Sequence, residues 1–170
     1  MAPAKLNALL DSDVLLDFLD GYAAAAEEIA RYRECCLSII SWMEVVAGAR
    51  TQADEDVRRG FLAHFRVVPL TSQVAEEAVE LRREYRLKLP DAIIWASAIT
   101  ENCLLVSRNT KDFPANQASV RFPYRRSGYQ REFGRGGDRG RAGRLVTTNP
   151  AAAGPMDMNL ARANHAKHSE

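Results

Sequence analysis

Asp11, Glu44, Asp91 and Asp112 each stand where the chain is expected to leave a strand or enter a helix. In an open parallel α/β sheet the C-terminal ends of strands and the N-termini of the following helices share one edge. Carboxylates far apart in the chain therefore converge there. Clustered carboxylates repel one another, and each raises its neighbours' pKa. A bound divalent cation relieves that repulsion, and Mg²⁺ with retained waters suits phosphodiester chemistry. The four acids together imply a metal-dependent nuclease.

Each acid also has a plain structural reading. In Asp11-Ser-Asp13-Val, Asp13 can serve as a helix N-cap. Ser41-Trp-Met-Glu44 has the spacing of a capping box. Asp91 sits where a helix-start acid complements the dipole, although the helix it opens is apolar nearly all round. Asn109 and Asp112 are ordinary turn formers. Asp17 and Asp20 read as a solvated helix face. The conjunction of four acids at one edge carries more weight than any of them singly.

The elements that must position these residues follow from periodicity. Leu6–Leu10 reads as a strand ending at Asp11, then a helix capped by Asp13 and closed by Gly21. Tyr22–Glu34 reads as an alanine-rich helix, Cys36–Ile40 as a strand, and Ser41 as the start of a helix ending near Gly48. Asp54–Phe65 is helical and Val67–Leu70 a strand. After Thr71 and Ser72, Val74, Ala78, Leu81 and Tyr85 recur at helical spacing opposite acids and Arg83. Pro90 and Asp91 open a helix to about Thr100. Cys103–Ser107 and Val120–Phe122 complete the strands. The alternation predicts an α/β fold, a three-layer α/β/α sandwich on a short parallel sheet.

The 170 residues fit one domain, 1–126, and an appendage, 127–170. From Ser127 onward seven Lys/Arg face four Asp/Glu, so that stretch carries +3 of the net +1 and leaves −2 on the first 126 residues. It also holds seven of the ten glycines, in Gly-Arg repeats without apolar periodicity, which predicts disorder. Arg/Gly segments can neutralise phosphates without sequence specificity, and a plain extension without function is the simpler reading. Cys35, Cys36 and Cys103 lie in or beside apolar runs without a CxxC partner, which predicts buried free thiols and a reducing cytosol. No signal-peptide core or run long enough to span a membrane is present, so a cytoplasmic location is expected.

The motifs Leu9-Leu-Asp-Ser-Asp-Val14, Ile40-Ser-Trp-Met-Glu44, Lys88-Leu-Pro-Asp-Ala-Ile-Ile94 and Val106-Ser-Arg-Asn-Thr-Lys-Asp-Phe113 occur in order across nearly all of residues 5–126. In that order they resemble PIN-domain endoribonucleases, specifically VapC-like toxins of type II toxin–antitoxin pairs. Phe122-Pro-Tyr-Arg125 resembles the usual family ending. The resemblance implies that Asp11, Glu44, Asp91 and Asp112 are the acidic site residues, with Asp13, Ser107 and Asn109 in support. It implies Mg²⁺ or Mn²⁺ held chiefly by Asp11, Asp91 and Asp112, with Glu44 as general base or partner of coordinated water. RNA is the implied substrate, with tRNA, ribosomal and messenger RNA all compatible. A cognate antitoxin, blocking the acidic site with its C-terminal segment, and a homodimer are the implied partners. Leu15, Leu16 and Leu19 form a stripe expected to receive an antitoxin helix or to pack in the core. Arg108 and Lys111 are placed to steer phosphate or to lie on a plain surface. Ser12-Asp13 stands where the family often has Thr-Asn, which adds a possible fifth acid.

Other chemistries fit less well. Ser38, Ser41 and Ser107 lack a histidine base, since His64 has no partner and His165 and His168 lie in the appendage. No glycine-rich phosphate loop occurs. A phosphoaspartate-forming phosphatase, suggested by Asp11-x-Asp13, wants a later acidic pair and more chain. A catalytically inactive PIN-like binding module is the remaining alternative.

Overall fold

The computed structural model describes residues 6–126, so the expectations for the appendage lie outside the described residues. Five strands, β1 (Ala8–Leu10), β2 (Cys35–Ser38), β3 (Arg66–Val68), β4 (Leu104–Val106) and β5 (Val120–Arg121), form one parallel sheet in the order β3-β2-β1-β4-β5. Six helices connect them: α1 (Ser12–Leu19), α2 (Ala23–Ile29), α3 (Ile39–Ala47), α4 (Gln52–Leu62), α5 (Ser72–Tyr85) and α6 (Leu89–Thr100). The strands are short, and the three central ones are almost wholly buried, as expected for a parallel sheet covered on both faces. Successive strand residues alternate between faces. Leu9, Cys36, Leu105 and Val120 join the cluster built on α5 and α6, including Val74, Ala78, Leu81, Ile94 and Trp95.

Helix α6 is buried over Ala92–Ala98, which explains why its sequence shows no amphipathic period. Trp95 is 1% exposed, and its indole N–H donates to Ser119 Oγ at 3.2 Å. It packs against the rings of Tyr85 and Phe113. This core fixes the start of α6, and with it Asp91, against the sheet.

Helix starts differ from the sequence reading in two instructive places. Asp11, not Asp13, is the N-cap of α1: its backbone is extended and its carboxylate accepts the Ser12 N–H. The chain turns into the helix immediately after β1, leaving no residue between strand end and cap. Ser38, not Ser41, caps α3, its hydroxyl accepting the Ile40 N–H. Ser41 is inside the helix, so the Ser41–Glu44 capping box does not form. The alanine-rich segment is helical only to Ile29. Residues 30–34 must reverse direction into β2, and the Arg33 N–H to Leu6 carbonyl and Ala8 N–H to Glu34 carbonyl bonds hold that reversal. Tertiary pairing here outweighs helix propensity. Thr71 caps α5 as expected, and Pro90 is the second residue of α6 rather than the first.

One surface expectation is overturned: Asp17 is 1% exposed, so it is not part of a solvated face. Leu15 is fully buried, which is the core alternative for that stripe, while Leu16 and Leu19 are half-buried. Cys36 and Cys103 are buried free thiols with sulfurs 3.8 Å apart, while Cys35 is half-buried and donates towards the Ile29 carbonyl. No described helix is long and apolar enough to cross a membrane.

Replacing Trp95 with Ala removes the largest fully buried side chain and orphans the Ser119 contact. The expected loss is about 3–5 kcal/mol of unfolding free energy by denaturant titration; a loss below about 1 kcal/mol contradicts this packing.

Candidate active site

The sheet order reverses at β1: the chain moves outward through β2 and β3, then returns to place β4 and β5 on the other side. The crevice at such a switch point, beyond the carboxyl ends of the strands, is where open α/β sheets bind ligands. Here Asp11 directly follows β1 and Ser107 directly follows β4, with the Asp11 N–H bonded to the Val106 carbonyl at 3.0 Å. The Ser107 hydroxyl donates to Asp11 Oδ2 at 2.7 Å, and the Ser12 N–H donates to Oδ1 at 2.7 Å. Asp11 is only 5% exposed.

The remaining acids approach from three other elements. Glu44 projects from the exposed side of α3, and Asp91 is half-buried in the first turn of α6. Asp112 lies in the loop after β4, where it accepts from the Asn109 side-chain amide at 2.8 Å while its own N–H donates to Asn109 Oδ1 at 3.2 Å. The Lys88 ammonium stands 3.6 Å from Asp112 Oδ1. Asn109 also donates its backbone N–H to Ser107 Oγ, so Ser107 and Asn109 link Asp11 to Asp112 through one loop.

Charge interactions run through the whole set. Burial pushes the Asp11 carboxyl up to about 6; the Ser107 and Ser12 hydrogen bonds oppose this, and the charges of Glu44 and Asp91 add to it. Asp91 is raised by burial and then by Asp112 and Glu44, against the pull of Lys88. Asp13 is pushed to about 8 by burial and by the charge of Asp11, despite Arg108. The charges of Glu44 and Asp91 thus act on Asp11, and those of Asp112 and Glu44 on Asp91, with Asp13 beside Asp11.

Asp13 Oδ2 accepts the Arg108 backbone N–H at 2.9 Å, whereas Oδ1 is buried without a hydrogen-bond partner. An orphaned carboxylate oxygen beside repelling acids is a place where positive charge is missing. Among the described residues, no three His, Cys, Asp or Glu side chains form a ready-made cation cage. Mg²⁺ does not require one, because it keeps several waters and takes one or two carboxylates. The all-oxygen donor set and its raised acids fit such an ion.

Several supporting groups escaped the sequence reading. Buried Asp17 receives Arg108, with Nε 2.5 Å from Oδ2 and Nη2 donating to Oδ1 at 3.2 Å, and the Tyr124 hydroxyl donates to Oδ2 at 3.0 Å. Arg108 is therefore committed to α1 rather than free to steer phosphate. The signal was present: Asp17 follows Val14 by three and Asp13 by four, which puts an acid on the buried stripe of α1. Lys88 was visible only as part of a motif, since its reach to Asp112 depends on the tertiary fold.

The PIN domain family matches residues 8–117. The chain belongs to the PIN domain family. It is a homologue of the VapC ribonuclease toxins: Ribonuclease VapC10 of Mycobacterium tuberculosis is 35% identical over 114 residues, covering 62% of this chain and 85% of the relative. A toxin–antitoxin complex from Klebsiella pneumoniae is similar at 40% identity and a TM-score of 0.65, covering 69% of this chain and 98% of that one. VapBC2 from Rickettsia felis, solved with a DNA fragment from its promoter, shares the fold at 21% identity and a TM-score of 0.52, over 62% of this chain and 90% of its own. The PIN domain here carries Asp13 at the position read as the family's frequent Asn, and the structure gives that acid one bonded and one orphaned oxygen.

The raised Asp11 has a consequence for stability without metal. A carboxyl whose folded pKa exceeds its ordinary 3.8 stabilises the fold at low pH, and that contribution is lost as pH rises through about 6. In EDTA, Asp11→Asn is therefore expected to gain in melting temperature relative to wild type as pH rises across this window. A gap that stays constant with pH contradicts the assignment.

Proposed function

We propose that this VapC-like PIN domain is a metal-dependent endoribonuclease that hydrolyses phosphodiester bonds in unpaired RNA. The observation that carries this reading is buried Asp11, held by Ser107 and facing the charges of Glu44 and Asp91 at the switch point of the sheet. Asp11, Asp91 and Asp112 are the residues that would hold Mg²⁺ or Mn²⁺, one or two of them directly and the rest through retained waters. The chemistry such an ion supplies when bound is Lewis-acid polarisation of a phosphoryl oxygen and activation of water.

The chain's own groups do the rest. Ser107 orients Asp11 by donating to Oδ2, which leaves that carboxylate a fixed direction into the crevice. Asn109 does the same for Asp112. Glu44, exposed at the rim, is placed to accept a proton from an attacking water. Asp13 and Asp17 hold the loop after β4 through Arg108, so Asn109 and Asp112 are presented from a fixed backbone. A protein antitoxin is the expected regulator, with a basic side chain entering the acidic crevice much as Lys88 already approaches Asp112; the similarity to a toxin–antitoxin complex supports this.

Incubation of a tRNA and rRNA pool with wild type is expected to give discrete fragments in Mg²⁺ and none in EDTA. Asp91→Asn should lose cleavage while keeping its circular dichroism spectrum, and Ser107→Ala should slow it roughly 10- to 100-fold, as for partners that orient metal ligands. Fragments at wild-type rate from Asp91→Asn contradict the site. No fragments from folded wild type would leave a binding module in its place.

A further inference from the structure

Beside the acids lies a surface of opposite sign. A groove of about 660 Å³ is lined by Val79, Arg82, Arg83, Arg86, Leu87 and Lys88. Val79 is three and four residues before Arg82 and Arg83, and these are four and three before Arg86, so the four share one side of α5 and its C-terminal turn. The groove ends at Lys88, whose ammonium reaches Asp112 of the acidic site. It therefore leads away from the crevice where a phosphodiester is to be cleaved.

Two observations set these cations apart from ordinary helix-end arginines. First, they gather although the first 126 residues carry a net −2. Second, Arg86 occupies the left-handed region, φ 56 and ψ 34, at the C-cap of α5, where glycine is the unstrained choice. A long cationic side chain is held there against backbone preference, and such outliers collect at functional surfaces. Arg82 is partly structural, its Nη1 donating to the Leu87 carbonyl at 2.6 Å, which fixes the turn on which Arg86 and Lys88 stand. Arg83 pairs only with exposed Glu80 at the far rim.

We infer that this groove is the subsite for the RNA strand flanking the scissile phosphate, with Arg83, Arg86 and Lys88 contacting backbone phosphates without reading sequence. The inference rests on the nuclease reading of the acidic site. An open groove whose line of cations ends at Lys88, beside Asp112, fits a polyanion better than a single small phosphate. Counterion release then makes binding salt-dependent, with a slope of log K against log salt of about −0.7 per phosphate contacted on a single strand.

The test is binding of a fluorescein-labelled single-stranded RNA by anisotropy across a salt series, in Mg²⁺, with Asp91→Asn carried in every protein to prevent cleavage. The Arg83→Ala/Arg86→Gly double variant keeps the Arg82 bond and relaxes the left-handed residue. It is expected to bind more weakly and to flatten the slope by about 1.4, equally for unrelated RNA sequences. Arg31→Ala/Arg33→Ala, which removes the same charge before β2 at the opposite edge of the sheet, is expected to leave the slope unchanged. An unchanged slope in the groove variant, or an equal loss in the control, overturns the inference. Loss of binding to a polyglutamate peptide with RNA binding intact also overturns it, and assigns the groove to an acidic protein segment. Fragments from the Asp91-containing wild type on the same RNA, alongside an unchanged slope, defeat the groove alone. Absence of both binding and cleavage defeats the nuclease reading with it.

Discussion

Repulsion among carboxylates at the β1–β4 junction is the constraint around which this PIN domain is arranged. Asp11 is buried where two central strands end side by side, and the charges of Glu44 and Asp91 act on it from two different helices. A fold selected for stability alone would place an apolar or neutral residue there. The Ser107 hydroxyl and the Ser12 N–H offset only part of the cost of burial, which is why the acid remains raised. On the proposed reading, a bound cation would complete the balance.

The surroundings keep these acids from relaxing apart. The loop after β4 is tied at its start by Arg108, which gives its backbone N–H to Asp13 and its guanidinium to Asp17, and at its middle by the mutual bonds of Asn109 and Asp112. Tyr124 closes over Asp17 from the last described segment. On the other side, the apolar body of α6 around Trp95 holds Asp91 at the mouth of the crevice. Buried polar partners at one end and dispersion at the other thus serve the same geometry. A second ion pair, buried Glu28 with half-exposed Arg121, does comparable work between α2 and β5. Burial pushes Glu28 up, but Arg121 and Tyr32 outweigh it and leave the carboxyl below its usual range.

Much of this was legible in the residues. The apolar runs of β1 and β4, the stripe of α5 and the continuous apolar stretch of α6 gave the elements to within a few positions, because burial dictates them locally. Asp11 and Asp91 were legible because they stand at a strand end and in a first helical turn, which share an edge in a parallel sheet; Glu44, the sixth residue of α3, and Asp112, in the loop beyond β4, are not at boundaries as the sequence reading had them. What was not legible depended on tertiary geometry. Which polar residue caps α1 or α3 turned on where the strand ends, which shifted the cap from Asp13 to Asp11 and from Ser41 to Ser38. Asp17 read as solvent-facing because an acid usually is, although its helical position beside Val14 pointed inward. The cationic groove needed the turn at Arg86, after which Lys88 reaches Asp112, before it could be seen.

On the proposed function a divalent cation would balance these acids, and without it burial keeps a proton on Asp11 up to about pH 6. Calorimetric titration with Mn²⁺ near pH 6, repeated in buffers of different ionisation enthalpy, measures the protons displaced on binding. The account predicts binding coupled to proton release in wild type, with both diminished in Asp11→Asn. Absence of binding, or binding without proton release, would contradict it.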